Sequence, residues 1–420
     1  MGANRALLVG CIYPGSKYQL KGCANDAYAV QKMLLTHYGF TPSDITMMLD
    51  CDPSLEMPTG AAIKRKLSEL VAASQPGDSL VFHYSGHGTQ IPSTSPEEAD
   101  RKDECLCPAD MNVITDDDLR RILKDLAEGV TFTMIADCCH SGTLLDHATV
   151  QITGPKASDP GMPPQLLDLF TAMVGADFGM REVTNRAIPS ESYVQMLGER
   201  LGVPIKAEQV RLVLAKVFGS EASLKFQGLL QKVGDAVASL KVEDVTAGFE
   251  LVELGGPEAV AVEERGFGSL FKDMAAGMAQ AALAEAQKNP DFQRARERLQ
   301  QVVTIAQSAG FDIPVILPAG EKPPSAELLP PDVGILISGC QANETSADAH
   351  PPGQPDKAYG ALTNALTNAV NEFKRAHPDA NISYRTLVSA VRDSLGAARF
   401  PQNPCLESSA ENADRPFVVA

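Results

Sequence analysis

Positive charge is what this 420-residue chain has least of: 36 Lys and Arg stand against 53 Asp and Glu, a formal net charge of −17. A field of that sign repels nucleic-acid phosphates and anionic lipid, so neither is an expected partner, and cationic partners or cationic substrate groups are favoured. No apolar run approaches the ~20 residues needed to cross a bilayer. The opening stretch MGANRALLVGCIYPG has too short an apolar run for a secretory signal, and Ala6 stands where a myristoylation motif wants Ser or Thr. Tryptophan is missing and aromatics make up 5%, yet 44% of residues are apolar, enough for a real core, which excludes a disordered or collagen-like chain. Nine cysteines, an odd number, point to free thiols in a reducing compartment, and a cytoplasmic location is expected.

What is there changes along the chain. Residues 1–145 alternate short apolar runs with helical patterns. RALLVGCI (5–12), ITMMLD (45–50), SLVFHYSG (79–86) and TFTMIADCC (131–139) read as strands. NDAYAVQKMLLTH (25–37), AAIKRKLSELVAAS (61–74) and TDDDLRRILKDL (115–126) read as helices. Such alternation implies parallel strands with helices on both faces. Residues 146–332 break the pattern: Pro-rich PGMPP (160–164) and PAGEKPPSAELLPP (318–331) bracket helical stretches at about 191–201, 206–218, 224–239 and 269–308. Strand grammar returns with GILISGC (334–340), followed by helices at about 359–375 and 383–395. The expected fold class is α/β, a mostly parallel sheet flanked by helices, built from 1–145 and 333–420 and interrupted by a largely helical insertion.

In a parallel sheet, function collects at the carboxyl ends of strands. Three of the strands end in chemistry: HYSGHG (83–88), ADCCHSG (136–142) and SGCQANETSADA (338–349). A cysteine hydrolase needs a thiolate, an imidazole to take up and return its proton, and amide donors for the oxyanion. Cys139 offers the thiol and His87, between Gly86 and Gly88, the imidazole; the amides of Gly88 and Cys139 are the candidate oxyanion donors. His140 is discounted as the base, because neighbours along a strand face opposite ways. A zinc site from Cys105, Cys107 and residues 138–140 lacks the two-residue gap of structural sites, and Cys138 is read as a neighbour without a catalytic role.

Taken together, these motifs resemble those of the metacaspases, caspase-like cysteine peptidases of plants, algae, fungi and protists. The His lies about 50 residues ahead of the Cys, the caspase order, and the long segment before ISGCQ resembles the insertion of the type II group. The resemblance implies a caspase–hemoglobinase fold, with 1–145 as a large-subunit-like part, 146–332 as linker and insertion, and 333–420 as a small-subunit-like part. It implies a Ca²⁺-activated, autoprocessed zymogen that cleaves protein or peptide substrates after Arg or Lys, with Cys139 as nucleophile and His87 as base. It sets Asp26, Asp137 and Asp348 around the basic side chain, which wants just such carboxylates, and lets Cys23 line the cleft; singly, Asp26 would also suit a cap on the helix beside it. Lys225 in GSEASLKF resembles the processed linker residue, with Arg211 and Lys216 as rivals.

For Ca²⁺ the candidate ligands are Glu97, Glu98, Asp100 and Asp103 in an acidic run, with Asp146 just past the Cys motif, although no EF-hand spacing is present and a solvated acidic loop is the plain reading. Asp116–Asp118 is set aside, since Thr115 with Asp118 reads as a capping box. Two other functions stay in view. One is a legumain-like peptidase of the same fold with Asn preference, whose pocket would not want three carboxylates. The other is a stress-protective interaction protein acting through the acidic helical insertion. A monomer is expected.

Overall fold

The structure is a computed structural model that describes residues 2–92, 102–139, 150–152, 181–202, 204–207, 210–227, 333–341 and 344–419. Its central strands are those with unbroken apolar burial, as strands covered on both faces must be. β1 (Asn4–Gly10) is buried from Ala6 onward, followed in chain order by β2 (Ile45–Leu49) and β3 (Ser79–Ser85), the last buried throughout. A small pair and its short neighbour come next, β4 (Gly88–Pro92), β5 (Lys102–Leu106) and β6 (Ile114–Thr115). β7 (Thr131–Asp137) returns to the centre, and β8 (Val150–Ile152) lies at its edge. Two short strands, β9 (Glu182–Asn185) and β10 (Ala187–Ile188), precede β11 (Ile335–Ser338), β12 (Ala347–His350), β13 (Tyr359–Gly360) and β14 (Cys405–Glu407).

Seven of these form one sheet in the order β2-β1-β3-β7-β11-β14-β8, parallel except for β14. β11 lies beside β7 with Ile335 opposite Thr133 and Ser338 opposite Ala136, so the chain beyond the insertion completes the sheet begun before it, as the alternation predicts. The sequence reading missed two smaller sheets, β10-β4-β5-β6 and β13-β12-β9, whose strands are too short or too polar to announce themselves.

Helices α1 (Cys23–His37), α2 (Gly60–Ala72) and α3 (Asp116–Leu123) start close to where the pattern puts them. Thr59 accepts from the Ala62 amide at the head of α2, and Thr115 forms the expected capping box with Asp118 at the head of α3. α4 (Ser190–Leu201) ends at left-handed Gly202, φ 70°. After α5 (Val210–Phe218) come α6 (Ala361–Ala376) and α7 (Tyr384–Ala397). Leu362, Leu366 and Val370 of α6 join Leu387, Val388 and Val391 of α7 and Val30 and Leu34 of α1 in the main core. Each such fully buried side chain contributes roughly 1.5–3 kcal/mol, which holds the strand tips rigidly where the chemistry sits.

The chain divides into two compact units. The first comprises Met1–Ile205, Phe218–Lys225 and Pro323–Ala420; the second comprises Lys206–Val217 and Phe226–Lys322, and most of its described part is helix α5. Residues 181–205 and 218–225 therefore pack as part of the catalytic unit, although they lie within the segment expected to be the insertion.

Candidate active site

The site is organised by a short extended stretch, residues 182–188. On one side β9 pairs antiparallel with β12, Asn185 opposite Ala347 and Glu182 opposite His350. On the other, β10 pairs parallel with β4, Ala187 opposite Gly88 and Ile188 opposite Thr89. Arg186 is the crossing point between the two sheets. Its amide donates to the Ser346 carbonyl, and the Gly88 amide donates to its own carbonyl oxygen, both at 3.0 Å.

The Arg186 side chain is fully buried. One guanidinium nitrogen, Nη2, donates to Asp26 Oδ2 at 2.8 Å and Asp348 Oδ1 at 2.9 Å. The other, Nη1, donates to Ser85 Oγ and the Asp137 carbonyl and lies 3.2 Å from Asp137 Oδ1. Each carboxylate is itself held in place. Asp26 accepts from the Gly360 amide and Ser85 Oγ. Asp137 accepts from the Thr363 amide and hydroxyl and from Ser346 Oγ, and Asp348 from the amides of Lys21 and Gly22. Such fixed acceptors are what charge-assisted recognition of a planar guanidinium requires. Three acids face one cation in a dry pocket. Burial pushes the Asp26 carboxyl up to about 6, with the guanidinium opposing that rise and Asp137 adding to it. Burial also pushes the neighbouring Cys23 thiol up, against the pull of Arg186.

Gly360 is required by space here. A Cβ on it would strike Asp137 Oδ2 and come within 2.5 Å of Arg186 Nη1 and 2.6 Å of Asp26 Oδ2. Gly88 is required in the same way, because a Cβ there would collide with the carbonyl of Cys139. That close approach brings the two catalytic motifs together.

The nucleophile and base candidates flank the Asn185–Arg186 dipeptide. Cys139 Sγ accepts from the Ser346 amide at 2.8 Å and donates to Asn185 Oδ1 at 3.2 Å, so its partners are Asn185 and Ser346 rather than His87 directly. His87 Nε2 faces the Tyr18 carbonyl at 2.7 Å, and Nδ1 lies 3.0 Å from the Arg186 carbonyl oxygen. Both partners are carbonyl oxygens, which only accept, so a neutral ring can donate to one of them and leaves the other nitrogen free to take up a proton. Burial lowers the His87 pKa, while the Tyr18 and Arg186 carbonyls facing its two nitrogens oppose that fall. Tyr13 braces this histidine: its hydroxyl accepts from the His87 amide at 2.8 Å and its ring lies 4.8 Å from the imidazole.

The candidate residues thus converge in part. Cys139, His87, Gly88, Asp26, Asp137, Asp348 and Cys23 meet around Arg186, with only the Gly88 amide of the two proposed oxyanion donors on the Arg186 carbonyl oxygen. Asp26 stands in the first turn of α1 but does not cap it; that end has Gly22 and no side-chain cap. The expected processing residue, Lys225, does not occupy the pocket. Its ammonium sits between Asp103 Oδ1 and Asp117 Oδ2, each 2.7 Å away, while Arg186 takes the three-aspartate pocket. Asp103 is therefore paired with a lysine, and Glu97, Glu98, Asp100 and Asp146 lie outside the described residues. Among the described residues no group of three or more His, Cys, Asp or Glu side chains is arranged to hold a metal ion. Sequence reasoning missed Arg186, Asn185, Ser346, Gly360 and Thr363. Arg186 carried a usable signal, being a basic residue in an exposed-looking stretch ahead of a helix, but a lone arginine does not advertise its pocket.

Comparison with known proteins gives the family. Residues 4–148 match the family model described as metacaspase, peptidase C14 domain. Metacaspase-6 of Arabidopsis thaliana is 34% identical over 96% of this chain and 96% of its own length. Metacaspase-4 of the same plant is 31% identical over 99% of both chains. Metacaspase-1 of Cryptococcus neoformans is 41% identical over 38% of this chain and 36% of its own. Near-complete coverage by the plant proteins takes in the long insertion as well as the catalytic motifs. The chain belongs to the metacaspases, caspase-like cysteine peptidases, in the type II group that carries this insertion.

Proposed function

We propose that this metacaspase is a zymogen that cleaves itself after Arg186 and cleaves other proteins after Arg or Lys, using Cys139 and His87. One observation carries the reading: Arg186 has its guanidinium on three buried carboxylates while its carbonyl oxygen rests on the Gly88 amide, beside the thiol and the imidazole. That is the arrangement of a substrate poised for attack.

The chemistry follows from these contacts. His87 Nδ1 takes the Cys139 proton, and Sγ adds to the Arg186 carbonyl carbon. The oxygen, now carrying negative charge, is held by the Gly88 amide and by Nδ1–H of the protonated ring. His87 then passes the proton to the Ala187 nitrogen as the Arg186–Ala187 bond breaks. Water, deprotonated by the same ring, hydrolyses the thioester and frees the Arg186 carboxylate. A step is needed first: the thiol must exchange its bond to Asn185 for one to His87.

An Asn-preferring pocket is disfavoured by the same contacts, because a neutral amide would leave three buried carboxylates without a counter-charge. Dependence on Ca²⁺ is part of the proposal. Asp103, the one expected ligand among the described residues, already shares Lys225 with Asp117, so a cation binding at Asp103 would have to compete with that ammonium. Purified protein assayed on Arg-, Lys- and Asn-ended aminocoumarin amides, with and without Ca²⁺, tests the reading. Hydrolysis of the first two only, lost in Cys139→Ala together with self-processing, is the expected result. Equal or greater cleavage after Asn would overturn it, and N-terminal sequencing of the processed fragment should begin at Ala187.

A further inference from the structure

We infer that the edge of β4, at Gly88 and Thr89, is a subsite that reads the two substrate residues following the scissile bond, with Thr89 as its specificity-determining side chain. The inference rests on the reading of Arg186 as the residue before that bond and extends it to the far side.

The basis is the way the chain continues beyond Arg186. Ala187 and Ile188 do not turn away from the site; they pair in parallel with Gly88 and Thr89. The Thr89 hydroxyl donates to the Ile188 carbonyl oxygen at 2.7 Å, and both residues are completely buried. A buried hydroxyl that donates to the backbone of a stretch lying in the cleft loses that partner whenever the stretch leaves, and such a group is costly to leave unpaired. Thr89 is therefore set to receive the carbonyl of the second residue after the cut in whichever chain occupies the cleft. The Ile188 side chain has no exposed surface, so the structure encloses an apolar side chain at that same position. Acidic side chains there would be buried without a counter-charge.

The subsite also differs in kind from the one before the bond. Residues ahead of Arg186 pair antiparallel with β12, whereas those after it pair parallel with β4. A substrate must reach at least two residues past the cut to use the second sheet, so a peptide spanning the bond engages contacts that an aminocoumarin amide cannot.

Two substrates separate this from the activity itself: an Arg-ended aminocoumarin amide, which ends at the bond, and an internally quenched peptide continuing Ala-Ile beyond the same Arg. Thr89→Val should lower kcat/KM on the quenched peptide about tenfold more than on the amide, and Thr89→Ser, which keeps the hydroxyl, should restore the ratio. A peptide set varied at the second position should favour Ile, Leu or Val over Asp about tenfold or more. Equal losses on both substrates, no loss on either, or a flat preference at that position would overturn the inference. Failure of the Arg reading would show instead as indifference of the aminocoumarin amides to the residue before the bond.

Discussion

Two basic residues of the linker and insertion, Arg186 and Lys225, are each gripped by aspartates, and the two grips differ in almost every physical respect. Arg186 is fully buried against three carboxylates, and its carbonyl oxygen meets the Gly88 amide and the His87 imidazole. Lys225 keeps 16% of its side chain exposed and faces two carboxylates, Asp103 and Asp117. Its neighbours bind the same unit by their backbone: Lys64 donates to the Glu221 and Ala222 carbonyls, and the Leu224 amide donates to Asp118. A guanidinium is planar and weakly hydrated, suited to a dry multi-carboxylate pocket, while an ammonium is a compact, strongly hydrated charge suited to a surface clamp. In the proposed function the first grip presents a peptide bond to the candidate nucleophile. The second fastens a strap.

Reversing the charge in the first grip should have the largest effect. Arg186→Glu would put a fourth carboxylate among three, and cleavage between residues 186 and 187, followed by gel electrophoresis, should slow by at least about a thousandfold. Lys225→Glu should leave that bond cleavable; if it blocked cleavage as completely, the distinction between the grips would fall. Next in size is Gly360→Ala. Its methyl would press on Asp137, Arg186 and Asp26, and kcat/KM on Arg-ended substrates should drop roughly ten- to a hundredfold.

A pH profile tests the electrostatics of the pocket. Asp26 must be ionised to hold the guanidinium, and burial sets its pKa at about 6 with Arg186 in place. The kcat for an Arg substrate should therefore decline as pH falls through 6, because protonation removes a charge the bound cation needs; Asp26→Asn should lower kcat throughout and remove the part of that limb due to Asp26. A limb unchanged in Asp26→Asn would assign it to His87 alone. The smallest effect belongs to the strap. Lys225→Ala leaves Asp103 and Asp117 without that ammonium, and a denaturation series should show a loss of about 1–3 kcal/mol. Added salt should shrink the difference, since this clamp touches solvent.

Much of this was legible in the residues. The strands at 79–86, 131–139 and 334–340 were marked by continuous apolar runs, and Gly86–His87–Gly88 and Cys138–Cys139 stood at their tips. Asp26, Asp137 and Asp348 could be named only through the family resemblance, and Asp26 lies in GCANDA, away from the strand tips. Lys225 was named as a processing residue because a basic residue in a helical insertion looks available; packing shows that Asp103 and Asp117 hold it in this structure. Arg186 was overlooked because β9 and β10 are short and polar, with a pairing supplied by β12 and β4 rather than by their own pattern. Asp116–Asp118 was half understood. Its capping box with Thr115 is present, while Asp117 also serves Lys225.

The sequence alone determined the parallel sheet and offered the candidate thiol and imidazole, because those depend on local patterns: apolar runs, glycine-flanked reactive residues and strand ends; the candidate pocket acids came from the family resemblance. The tertiary structure alone decided which basic residue fills the pocket and which is clamped at the surface. That choice depends on contacts between residues up to about 160 positions apart, Asp26 with Arg186 being one, and on which of two cations can better bear the loss of water.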